Sequence, residues 1–93
     1  MARGRPRKPA SQLADGFILC RELPPSTGMG LHQGKKIYRS GRDWQAERVI
    51  LMDDRIEWRL FWRGIHVHQR LGDLEPTEMR EWLITEINQL HEE

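Results

Sequence analysis

The side chains of this sequence best suited to chemistry are cationic and lie at its start: Arg3-Gly4-Arg5-Pro6-Arg7-Lys8-Pro9. Two guanidiniums flanking a glycine suit a narrow electronegative cleft. In an extended chain Arg3 and Arg5 can run in opposite directions along such a cleft. Gly4, with no side chain, lets the backbone approach its floor. Pro6 fixes an extended exit and lowers the cost of ordering. Arg7 and Lys8 are placed to meet phosphates. The minor groove of DNA over A·T pairs is such a cleft, narrow and strongly negative. Contacts there separate A·T from G·C without distinguishing individual sequences. The plainer alternative is a basic tail that touches any nucleic acid.

Other reactive types are present without a spacing that organises them. His66-Val67-His68 puts two imidazoles on one face of a strand, a spacing that can bind a metal. No third ligand is implied, because His32 falls in a loop and His91 near the end of the chain, so surface histidines are the better expectation. Asp53-Asp54 suits a turn better than a nuclease pair. The glycines from 28 to 34 lack the Lys-Ser/Thr ending of a phosphate loop. Cys20 has no identifiable activating neighbour. The expectation is a protein that is not an enzyme and uses neither metal nor cofactor.

The leading peptide resembles the AT-hook, the short motif of high-mobility-group A chromatin proteins. Its core here is Arg3-Gly4-Arg5-Pro6, followed by Arg7, Lys8 and Pro9; Ala2 stands where the family often has a proline. The resemblance covers about seven residues. It implies binding to AT-rich double-stranded DNA through Arg3, Gly4, Arg5, Pro6, Arg7 and Lys8. One hook binds weakly and with strong salt dependence, so useful affinity needs a second contact, from the body or from another subunit.

Charge along the chain fits a polyanion partner. The 93 residues carry a net charge of only +1. Yet residues 1–72 hold 14 Lys and Arg against seven Asp and Glu, while residues 73–93 hold Arg80 against seven acids. The basic part is drawn to a polyanion and the acidic end faces away from it, or toward another partner. A single cysteine excludes an intramolecular disulfide. No apolar run approaches the ~20 residues of a membrane span, and the basic start lacks the apolar stretch of a signal peptide. The expected location is cytoplasmic, with the nucleoid. Size and style suit an accessory protein of a bacterium, phage or mobile element.

The expected architecture is α+β: an antiparallel sheet of three to four strands with one C-terminal amphipathic helix on one face. Residues 1–12 form an unfolded basic arm. Residues 13–34 form a short strand at Phe17–Cys20 and a Pro/Gly loop, and residues 35–93 the small domain. Lys36-Ile37-Tyr38-Arg39 reads as a short strand ended by Ser40-Gly41, and Trp44 to Met52 as the next. Asp53-Asp54 then makes a two-residue turn. Ile56, Trp58, Leu60 and Trp62 alternate with Arg55, Glu57, Arg59, Phe61 and Arg63, the period of a half-buried strand. Arg63-Gly64 makes a second tight turn, and Ile65, Val67 and Leu71 alternate with His66, His68 and Arg70. Pro76 suits the first turn of a helix. Met79, Trp82, Leu83, Ile87 and Leu90 then recur at helical spacing.

This pattern predicts an apolar face, Ile56, Trp58, Leu60, Trp62, Ile65, Val67 and Leu71, under the helix. The opposite face collects Arg55, Arg59, Arg63, His66, His68 and Arg70, and could lie against nucleic acid; charge that merely blunts edge pairing is the plainer account. The layout is similar to the arm-binding domain of tyrosine recombinases and to the plant Apetala-type DNA-binding domain. That resemblance implies major-groove contacts from Arg48, Arg59 and Arg70. Arg48 therefore joins the candidate face of Arg59, Arg63, His66, His68 and Arg70. The acidic helix could instead dock a basic protein, or pair its apolar stripe with a second copy. The leading expectation is a small DNA-binding regulatory protein, and the alternative a protein-interaction module such as an adaptor or inhibitor.

Overall fold

The computed structural model describes residues 8–26 and 31–91. The elements run α1 (Ala10–Asp15), β1 (Ile18–Leu23), β2 (Gly34–Ser40), β3 (Trp44–Ile50), β4 (Ile56–Trp62), β5 (Ile65–Leu71) and α2 (Pro76–His91). The strands form one antiparallel sheet in chain order, β1-β2-β3-β4-β5. The class is α+β, as expected, with five strands rather than three or four. The additional strand is β1, which starts and ends later than the Phe17–Cys20 stretch and pairs with β2 on either side of a bulge at Cys20. Residues 13–23 therefore belong to the same sheet and core as the body.

The sheet has two faces of different character. From the register, Tyr38, Ala46 and Leu60 share one row, and Lys36, Arg48 and Trp58 the next. Both helices pack on this side. Trp44, Ala46, Trp58 and Leu60 meet Trp82, Leu83 and Ile87 of α2 in one core that also takes Ala10 and Ala14 of α1. The alternation from Ile56 to Trp62 thus does what its period implies, with Trp58 and Leu60 fully covered. Tyr38 and Trp58 lie ring against ring at 5.7 Å, and Trp44 and Trp62 at 6.4 Å, both tilted. Such geometry suits the ring quadrupoles better than face-to-face stacking. Neither helix lies on the other face.

Helix α2 starts where Pro76 needs no N–H partner. The Glu78 carboxylate reaches back to accept from the Glu75 backbone N–H (2.9 Å), one half of a capping box. Asp73, just before it, ties helix to sheet. Its Oδ1 accepts from Arg48 Nε (3.0 Å), Trp58 Nε1 (3.3 Å) and the Leu74 N–H (2.9 Å). Its Oδ2 accepts from Arg48 Nη2 (2.7 Å). The Arg48 guanidinium, more than any other neighbour, holds the Asp73 carboxyl well below the usual carboxylate range.

Helix α1 begins at Ala10, inside the segment expected to be an unfolded arm through Gln12. Pro9 is its extended N-cap. Six residues cannot hold a helix alone; Ala10 and Ala14, one turn apart, bury against α2 and supply what the local sequence lacks. Arg80 of α2 donates through Nε to Asp15 Oδ1 (2.5 Å) and through Nη2 to Oδ2 (3.3 Å). The buried Ser40 hydroxyl donates to the Leu13 carbonyl (2.7 Å), fixing α1 to the end of β2.

The connections follow local chemistry, with one departure from expectation. Arg63 (φ 50°) and Gly64 (φ 82°) join Trp62 to Ile65 through a two-residue turn with both central residues left-handed, the form that matches strand twist. Asp53-Asp54 is not a two-residue turn. The last paired residues are Ile50 and Ile56, so residues 51–55 form a longer loop. It closes through Leu51 N–H to Arg55 O (2.8 Å), with Asp54 left-handed (φ 71°). Gln33 Nε2 donates to both Leu51 O (2.9 Å) and Asp54 Oδ1 (2.5 Å). The Asp53 carboxylate accepts from the Arg55 backbone N–H (3.2 Å), a local bond typical of Asp in turns.

Candidate nucleic-acid interface

Of the hook-like peptide, Arg3, Gly4, Arg5, Pro6 and Arg7 lie outside the described residues. Lys8 is exposed, and Pro9 leads directly into α1. The peptide is thus joined to the fold by a helix that is itself anchored to β2 and α2.

The cations and imidazoles assigned to one sheet face do not share it: Arg55 lies in the 51–55 loop, Arg63 in the β4–β5 turn, and Arg48 in a row with Trp58. On β5 the cause is a bulge: Leu60 pairs with His68 but Phe61 with His66, so Val67 is an extra residue on that strand. One inserted residue exchanges the faces of everything beyond it. His66 stays on the uncovered face, stacked on Phe61 at 5.1 Å. His68 is turned to the helix side, 5.9 Å from the Trp82 ring and with Nε2 3.4 Å from Glu86 Oε2. Arg70 follows it, opposite Trp58, and Arg48 lies in the same row, bound to Asp73. Leu71 moves the other way, opposite Glu57, and is 54% exposed. Ile65, also expected in the core, is 60% exposed. The two histidines therefore point to opposite sides of the sheet. Among the described residues no group of three or more His, Cys, Asp or Glu could hold a metal ion.

Cations on the uncovered face are Arg21, Lys35, Arg39 and Arg59, in register with Ile37, Gln45, Glu47, Glu57 and Phe61. Two of the four are neutralised in place. Lys35 Nζ lies 3.2 Å from Glu47 Oε1, and Arg59 Nε donates to Glu57 Oε1 (2.5 Å). Sequence reasoning missed Arg21, Arg39 and Arg42, because each belongs to a strand or turn whose face could be assigned only after pairing.

Among the described residues, three arginines gather against a single acid at one end of the sheet. The β2–β3 turn (41–43) and the β4–β5 turn (63–64) lie side by side there, joined by the Arg63 N–H donating to Asp43 O (2.7 Å). Arg39 and Arg42 are exposed, and Arg39 Nη2 donates to the Arg42 carbonyl (3.2 Å). Arg63 is 62% exposed, its guanidinium carbon 4.6 Å above the Trp62 ring centre and its Nε 3.4 Å from Asp43 Oδ1.

The helix side carries a different feature at the edge of the sheet, an open cleft of about 450 Å³ between β5 and α2. Arg70, Glu78, Glu81, Trp82, Thr85 and Glu86 line it. The apolar stripe of α2, which could instead have paired with a second copy, is covered by the chain's own sheet through Trp82, Leu83 and Ile87. No helix among the described residues is long and apolar enough to cross a membrane. Comparison with known proteins adds no kinship to this geometry: no family model, curated protein or solved structure was found to match the chain.

Proposed function

We propose that this chain is a small DNA-binding accessory protein whose leading peptide lies in the minor groove of AT-rich duplexes. The observation that carries this reading is the run Arg3-Gly4-Arg5-Pro6-Arg7-Lys8 immediately ahead of Pro9, the cap of an anchored helix. Arg3 and Arg5 enter the groove on either side of Gly4, and Arg7 and Lys8 meet phosphates. The body holds the root of the peptide in place, which raises the benefit of any further contact it makes. A protein bound to AT-rich tracts of a chromosome resides with the nucleoid and acts in its regulation.

The test compares binding of the full chain to AT-rich and GC-rich duplexes at two salt concentrations, with Arg5→Ala beside it. The AT-rich duplex should be preferred by wild type, and Arg5→Ala should erase the preference. Equal affinity of wild type for both duplexes reduces the peptide to a generic basic tail.

A second reading has its own support in the acidic cleft of Glu78, Glu81 and Glu86, which suits a cationic peptide of a partner protein. A chain that ignores both duplexes, yet binds an arginine-rich peptide in a manner lost in Glu81→Gln, would favour an adaptor or inhibitor.

A further inference from the structure

We infer that the paired β2–β3 and β4–β5 turns are a phosphate-gripping surface, and that Arg39, Arg42 and Arg63 clamp one strand of duplex DNA beside the groove entered by the leading peptide. The inference rests on the minor-groove reading for the identity of the polyanion. Its own ground is separate: three arginines brought together by a hydrogen bond between two hairpins distant in sequence.

Several features make these turns a contact surface. Arg63 N–H to Asp43 O (2.7 Å) locks the two hairpin ends side by side. Arg39 and Arg42 are held as a unit by the bond from Arg39 Nη2 to the Arg42 carbonyl (3.2 Å). That bond uses one guanidinium nitrogen, and Arg39 as a whole is exposed. Arg63 is supported on Trp62, so less freedom is lost when it binds. A guanidinium with a fixed fork matches phosphate oxygens better than an ammonium does. Asp43 is the sole acid of the two turns, and three arginines outweigh it.

Spacing and position agree with the same occupant. Strands β2 and β4 are two strand intervals apart, roughly 10 Å at about 4.8 Å each. That distance lets the long arginine side chains reach neighbouring phosphates of one DNA strand. Ser40, the residue between Arg39 and the turn, carries the hydroxyl bound to Leu13 of α1. From Leu13 back to Pro9 is four residues, about 6 Å of helix. The root of the leading peptide and the arginine pair therefore sit on one rigid piece, close enough for both to meet the same duplex. The acidic loop at 53–54 and the carboxylates of α2 are elsewhere: the loop at the opposite sheet end, α2 across the helix-bearing face. Elsewhere on the sheet Lys35, Arg48 and Arg59 each answer one carboxylate, whereas at the turns three arginines share Asp43 alone.

The experiment uses the full chain and an AT-rich duplex, with affinity measured across a range of salt. Three proteins are compared with wild type: the neutral triple Arg39→Gln/Arg42→Gln/Arg63→Asn, the charge-retaining triple Arg39→Lys/Arg42→Lys/Arg63→Lys, and Arg55→Gln on the opposite end. Asn at 63 suits the left-handed backbone there. With about 0.9 counterions released per phosphate, the neutral triple should lower the slope of log K against log salt by roughly 2.7. The lysine triple and Arg55→Gln should keep the wild-type slope, and the preference for AT-rich over GC-rich duplex should survive in all three. An unchanged slope in the neutral triple overturns the inference. So does equal loss in both triples, which would trace the effect to the fold rather than to charge, and so does wild-type chain that binds no duplex. Failure of the minor-groove reading looks different: Arg5→Ala would leave duplex preference as in wild type while the neutral triple still flattened the slope.

Discussion

Asp73 is the residue through which the sheet and α2 are joined, and its chemistry makes a testable prediction. The carboxylate takes donors from Arg48, Trp58 and the Leu74 backbone at once. Asp73→Ala should lower stability by about 1–3 kcal/mol, because the buried Trp58 Nε1 is then left without its acceptor. Chemical denaturation at neutral pH measures this. The pH dependence has a definite sign. A folded-state pKa below the unfolded value of about 3.9 means that the contribution is complete above that value. It is lost as pH falls through the unfolded value toward the folded one. The carboxylate is half exposed, so screening keeps this part small. Asp73→Asn should nonetheless show a shallower loss of stability than wild type between pH 5 and 3. Two tryptophans provide an internal comparison. Trp82 Nε1 is buried with no hydrogen-bond partner among the described residues. Trp58→Phe removes a bond and Trp82→Phe does not, so at similar lost volume the first should cost about 1 kcal/mol more. Equal costs would remove the Asp73 bond from the account.

At the scale of elements, α1 depends on one close approach. A methyl group at Gly16 would stand 2.8 Å from Ser40 Oγ, 3.4 Å from the Gln12 carbonyl and 3.4 Å from the Leu13 carbonyl. The hydroxyl cannot retreat without giving up Leu13, since Ser40 is buried. Gly16→Ala should therefore destabilise the chain by about 1 kcal/mol or more. In a Ser40→Ala background the same change should cost distinctly less, a coupling that a double-mutant cycle reads directly. Purely additive effects would mean that the contact does not limit the site. The elements also explain what the sequence disclosed. Ile56 to Trp62 was legible because β4 lies under the helices, so burial enforces the alternation at every position. Pro76 and the spacing of Met79, Trp82, Leu83 and Ile87 were legible for the same reason. β5 was misread because it is an edge strand. Ile65, Val67 and Leu71 continue the period of β4, and nothing in their types marks the bulge at Val67 that re-aims His68, Arg70 and Leu71. β1 and α1 were legible only in part, since both depend on partners far along the chain: β2 for one, α2 and Ser40 for the other.

Seen as one molecule, the chain separates its charges in space more sharply than in sequence. The candidate sheet face read from the sequence was a sum of cations that the fold distributes among four places: the uncovered face, the helix side, the turn end and, for Arg55, the 51–55 loop. The turn end sets three arginines against one acid, Asp43, near the root of the leading peptide. A two-part grip makes a prediction distinct from any single substitution. A synthetic peptide of residues 1–9 contains all that the groove contact needs but none of the turns. Its four cations should give a salt slope of roughly −3 to −4, against roughly −6 for the full chain with three further phosphate contacts. Its ratio of affinities for AT-rich and GC-rich duplexes should equal that of the full chain, because phosphate contacts fix position without reading bases. Tethering the two contacts should also make the full chain bind more tightly at every salt concentration at which both engage. Fluorescence anisotropy with one labelled duplex supplies both curves. If peptide and protein have the same slope, the body adds no ionic contact, and the fold serves the peptide only as ballast.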